Sequence, residues 1–119
     1  MKLLNIVLAI MVLSGCAKSS TIQPAASSES GFAHVLWSGE TSQVSKPTPG
    51  EEAFRVFHQG ATGFVTVSAL RESAEKRATE FCARKQKNLN VLQETASTTP
   101  LGLGEFPRIE LVFECLTIK

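Results

Sequence analysis

Three cysteines, Cys16, Cys82 and Cys115, are the side chains in this 119-residue sequence whose type and placement point most directly to chemistry. A thiol can carry a lipid, ligate a metal, exchange electrons or close a bridge, and its surroundings decide which. Redox pairs usually stand as Cys-x-x-Cys at a helix start, where the dipole favours the thiolate. Cys82 instead falls near the end of a predicted helix, where the dipole acts in the opposite sense. A tetrahedral zinc site takes about four ligands at one point, and Cys82, Cys115 and the two widely separated histidines, His34 and His58, are not expected to supply such a set. No metal or other cofactor is expected. His58 as a base with Ser68 or Ser73 as nucleophile is the remaining catalytic arrangement, and neither serine sits in a Gly-x-Ser-x-Gly elbow. With no Asp or Tyr anywhere in the chain, groups for acid–base work are few. An enzyme is therefore not expected; a small periplasmic enzyme or thiol redox protein is the rival reading.

The residues before Cys16 have the physics of a targeting segment. Lys2 gives a positive start, residues 3–13 are apolar except for Asn5, and the small pair Ser14 and Gly15 follows. That apolar run is well short of the roughly 20 residues a membrane-spanning helix needs. Leu13-Ser14-Gly15-Cys16 resembles the lipobox of bacterial lipoproteins, in which a peptidase cuts before the cysteine and a lipid is joined to its thiol. The resemblance implies that residues 1–15 are a signal peptide and that Cys16 becomes the acylated mature N-terminus. Several acyl chains hold a protein firmly where one binds only marginally. Such a protein is tied to a bilayer without spanning it. Position 17 is Ala rather than the Asp typical of lipoproteins kept in the inner membrane, which implies the periplasmic leaflet of the outer membrane.

Removing residues 1–15 takes away Lys2 and no acid, so 12 basic against 11 acidic groups becomes 11 against 11. A neutral chain has no electrostatic case for nucleic acid, and no small-molecule substrate is indicated. With Cys16 committed to lipid, an exported chain keeps one even pair, Cys82 and Cys115, expected to form a disulfide in an oxidising compartment. Residues 17–31 are rich in Ser and Ala, and residues 38–52 in Ser, Gly, Thr, Pro and Glu. Both lack the bulk to offset their ordering entropy, so residues 16–52 are read as the lipidated cysteine and a flexible tether. Phe32 to Trp37 interrupt that polarity as a short edge strand or an apolar patch.

The compact part is expected over residues 53–119. Phe54 and Val56 share one face of an extended run at 53–58, and residues 63–67 form a second extended stretch leading to Ser68 as a helix N-cap. Leu70, Ala74, Arg77, Ala78, Phe81 and Cys82 recur at spacings of three and four, which predicts a helix with one apolar stripe ending before Asn88. A strand over 89–95, a long Gly- and Pro-bearing turn over 97–107 and a last strand over 108–116 follow. The Gly102-Leu103-Gly104 segment has no Lys-Ser/Thr sequel and so is not a phosphate loop. In the last strand Ile109, Leu111, Phe113 and Cys115 alternate with Arg108, Glu110, Val112 and Glu114, an apolar face against a mostly polar one. Both cysteines fall on inward faces, so packing helix on sheet brings them within bridging range.

The fold class is thus α+β: a small β-β-α-β-β domain, one helix packed on an antiparallel sheet and joined by a disulfide to the last strand. The whole pattern resembles small proteobacterial envelope lipoproteins. Architecturally, residues 53–119 are loosely similar to the disulfide-bonded domain of an outer-membrane stress-sensor lipoprotein, departing from it in having one candidate bridge rather than two. The turn bearing Leu101, Leu103 and Phe106 is the candidate interaction loop. The implied partners are membrane lipid, through Cys16, and an envelope protein.

Overall fold

A computed structural model of the chain describes residues 17–19, 21–33, 39–61, 65–97 and 106–117. Among these, one helix lies on an antiparallel sheet, an α+β arrangement with the Cys82–Cys115 bridge between the helix and the last strand. The strands are β1 (Ala17–Ser19), β2 (Gln23–Pro24), β3 (Gly39–Gln43), β4 (Ala53–Gly60), β5 (Lys87–Ser97) and β6 (Arg108–Thr117), with α1 (Val67–Ala83) between β4 and β5. Their order across the sheet is β1-β4-β6-β5-β3, with β2 also on β4, farther along the edge that β1 occupies.

The core is the layer between α1 and the sheet. Buried residues of α1 are Leu70, Ala74, Ala78 and Cys82, the expected stripe with Arg77 and Phe81 at its half-buried margin. Against them lie Phe54 and Val56 of β4 and Ile109, Leu111, Phe113 and Cys115 of β6. The register places Phe54 opposite Phe113 and Val56 opposite Leu111, so like side chains from neighbouring strands stack on one face. Ala74 and Ala78 bring almost no volume, which lets the helix approach the strands closely.

Several expectations are corrected. The helix begins one residue before Ser68: Thr66 is the N-cap, its Oγ1 accepting from the Ala69 N–H at 3.0 Å. Val67 is already helical and Val65 and Thr66 lie outside any strand, so the described part of the 63–67 stretch is not a strand. At the other end Asn88 is not the stop. The helix closes at Ala83, and Gln86, with φ at 58°, reverses the chain so that β5 starts at Lys87. β5 carries a bulge between Val91 and Gln93, which buries Leu92. The Leu92 carbonyl accepts from the N–H groups of both Val44 and Ser45, tying down the chain that follows β3.

The largest departure lies in residues 16–52. The stretch expected as a tether supplies β1, β2, a 3-10 turn at Ala25–Ser27 and β3, which together edge both sides of the sheet. Phe32 is buried in a turn, its ring edge-on to Phe57 with centroids 5.5 Å apart. Residues 34–38, the rest of that apolar patch, lie outside the described residues.

Candidate functional site

The bridge is the one sequence-predicted constellation that the described residues bring together. Cys82 and Cys115 have Cα atoms 5.3 Å apart and are 0% and 3% exposed. Exchange chemistry needs an accessible sulfur, and both cysteines of this bridge are buried in the folded chain. It fixes the C-terminal end of α1 to β6, where Lys85 caps the aromatic cluster with its Nζ 4.4 Å from the Phe54 centroid and 4.5 Å from that of Phe81.

The outer face of β6 was expected to be polar and turns out to be buried. Glu110 and Glu114 are 3% and 1% exposed, because the chain before β4 folds over them. Glu114 accepts from the Thr48 hydroxyl at 2.6 Å, from the Thr48 N–H at 3.1 Å and from the Asn90 side-chain amide at 2.9 Å. Burial by itself pushes this carboxyl up, but the hydrogen bonds from Thr48 and Asn90 outweigh it and hold the pKa below the ordinary glutamate value. Glu110 accepts from the Gly31 N–H and pairs with Arg55 at 3.1 Å. Arg55 in turn donates to the Ala25 carbonyl at 3.3 Å. The two carboxylates therefore pin residues 25–31 and 48 across the sheet. Sequence reasoning assigned these glutamates to the polar face and did not see their role. The signal available was a pair of acids four apart on a strand otherwise dense in apolar residues.

His58 is 2% exposed on the helix side of β4, and neither ring nitrogen has a hydrogen-bond partner among the described residues. Burial, and secondarily the positive charge of Arg77, lowers its pKa below the ordinary histidine value, which favours the neutral imidazole. Ser68 stands in the first turn of α1 and is not its cap, and no acid hydrogen-bonds His58 among the described residues. Among the described residues no group of three or more His, Cys, Asp or Glu side chains is arranged around a metal position.

A groove of about 360 Å³ opens between the start of α1 and the β5–β3 edge, lined by Glu40, Ser42, Val67, Arg71, Glu94, Ala96 and Ser97. Two of its charged groups pair with each other, Arg71 with Glu94, and Glu40 stands exposed on β3.

Cys16 and, in the candidate interaction loop, Leu101 and Leu103 lie outside the described residues. Ala17, next to Cys16, and Phe106, the remaining residue of that loop, are described. Ala17 is opposite Gly60, and Gly60 donates its N–H to the Pro107 carbonyl at 2.8 Å, which puts Phe106 at the same end of the sheet as the start of β1, with β4 between them. Phe106 is 39% exposed, one of two large apolar side chains open to solvent among the described residues. No described helix is long and apolar enough to cross a membrane. Comparison of the chain with protein-family models, with curated proteins and with solved structures finds no match.

Proposed function

We propose that this chain is a lipid-anchored protein of the bacterial envelope, acylated at Cys16 after removal of residues 1–15, whose small α+β head has a structural or protein-interaction role on the periplasmic side of the outer membrane. The observation that carries the reading is the apolar run ending in Leu13-Ser14-Gly15-Cys16. The buried Cys82–Cys115 bridge supports it, because structural disulfides persist in oxidising compartments. So does the even balance of the chain after residue 15, 11 basic against 11 acidic groups, which leaves membrane attachment to the acyl chains rather than to charge.

Intact-mass measurement on protein extracted from envelopes tests this directly. The expected product starts at residue 16, carries two or three acyl chains and floats with membranes. A Cys16→Ser variant is expected to lose both the acyl mass and the flotation. A wild-type product that retains residues 1–15, or that has a bare thiol at position 16, overturns the reading.

A further inference from the structure

The strands fix which end of the head lies next to position 16. Ala17 pairs with Gly60, Gln59 with Arg108, Ala96 with Ile109 and Gly39 with Ser97, so the start of β1, the end of β4, the start of β6, the end of β5 and the start of β3 share one end of the sheet. The opposite end holds Ala53, Glu114 and the turn through Thr48 to Glu51.

Consecutive Cα atoms are about 3.8 Å apart, so Cys16 cannot leave the vicinity of Gly60 while Ala17 is paired with it. Even with β1 released, Gln23 stays docked on Arg55, and the seven residues back to Cys16 reach at most roughly 25 Å when fully extended. A lipoprotein tether normally sets its domain off from the bilayer; here Ala17–Ser19 and Gln23–Pro24, close after position 16, pair with β4.

Resting on the lipid-anchor reading above, we propose that the sheet end marked by Ala17, Gly60, Ser97 and Arg108 sits directly on the bilayer surface, with Phe106 in the headgroup layer. The occupant of this apolar spot is lipid rather than a protein partner, because the covalent anchor emerges at the same end of the sheet, across β4 from it. Phe106 is exposed at this end, next to Pro107, whose carbonyl holds Gly60. An aromatic ring at the interface is a usual membrane contact. The neutral balance of the anchored chain means the orientation is set by the anchor's attachment point, not by attraction to anionic lipid.

The test uses the acylated full chain with a single added thiol, Phe106→Cys or, at the far end, Glu51→Cys. Each is labelled with an environment-sensitive fluorophore and reconstituted in phosphatidylethanolamine–phosphatidylglycerol vesicles containing a headgroup nitroxide quencher. Both positions are exposed, so the fold tolerates them, and the native bridge is too buried to take the label. Quenching at 106 is expected to exceed that at 51 several-fold, with a blue shift at 106 alone. A Gly-Ser insert of about ten residues between Cys16 and Ala17, long enough to act as a flexible spacer, is expected to lower quenching at 106 while flotation persists. Equal, weak quenching at both positions in protein that floats and carries acyl mass overturns the proposal and leaves the lipid-anchor reading standing. A chain without acyl mass overturns both.

Discussion

Replacing Glu114 isolates what holds the chain before β4 against the sheet. Its Oε1 accepts from the Thr48 hydroxyl and the Asn90 amide, and its Oε2 from the Thr48 N–H, while the side chain is almost wholly buried. Hydrogen bonds to a charged group contribute about 1.5–3 kcal/mol each before non-additivity. Thr48 itself is exposed, so its two donors can turn to water when the carboxylate is lost, whereas Asn90 is half-buried. Glu114→Ala is therefore expected to cost about 3 kcal/mol, below the sum of three such bonds. Glu114→Gln keeps the shape and one acceptor oxygen but sets an amide NH2 against a donor, and is expected to cost about 1–2 kcal/mol. Urea unfolding at neutral pH with the bridge intact reads both values, and hydrogen exchange at the Thr48 amide reads the local release. The acid limb gives a second check. Because the folded pKa is depressed, the stabilisation is fully present above the ordinary value of 4.5 and is lost as pH falls through the folded value. Glu114→Gln should flatten that limb. If it unfolds at the wild-type urea concentration, keeps the wild-type acid slope and leaves Thr48 exchange unchanged, the assignment of Glu114 as the pin is wrong.

Four further outcomes rest on other contacts of the fold. Cys82→Ala with Cys115→Ala is expected to destabilise by about 3–4 kcal/mol from the loop the bridge closes, and dithiothreitol should expose alkylatable thiols in wild type only once urea unfolds it, by mass analysis. Arg55→Met leaves Glu110 charged and buried with the Gly31 N–H, and is expected to cost about 3 kcal/mol, largely recovered in the double variant with Glu110→Gln; Arg71→Ala, breaking a more exposed pair with Glu94, should cost no more than about 1 kcal/mol in the same unfolding assay. Gly31→Ala drives a methyl into the Phe57 ring, which is already packed edge-on by Phe32, and is expected to lower stability by about 1–3 kcal/mol in a thermal melt.

The helix stripe and the two best strands are legible without a structure because each is a local periodicity. Leu70, Ala74, Ala78 and Cys82 repeat at three and four, and Ile109, Leu111, Phe113 and Cys115 at two, so each element declares its own buried face. The bridge is legible for the same reason, since each cysteine lies on such a face. The N-cap was misplaced by two residues because Thr66 and Ser68 both have the required hydroxyl, and only the backbone at Thr66, extended with ψ at 152°, selects between them.

What the sequence by itself determined is one helix, its packing side and the final strand, each encoded within a few residues, and through the faces they define the pairing of Cys82 with Cys115. What only the tertiary structure decided is the fate of residues 17–52. Their composition cannot bury enough surface to order alone, yet the sheet offers unpaired edges and two carboxylates wanting donors. Backbone pairing of Gln23–Pro24 and Gly39–Gln43, with the bonds from Gly31, Thr48 and Arg55 to the two carboxylates, supplies partners from 30 to 79 residues away in sequence. Those long-range hydrogen bonds leave no periodic trace in side-chain polarity, which is why a segment that reads as a tether becomes part of the fold.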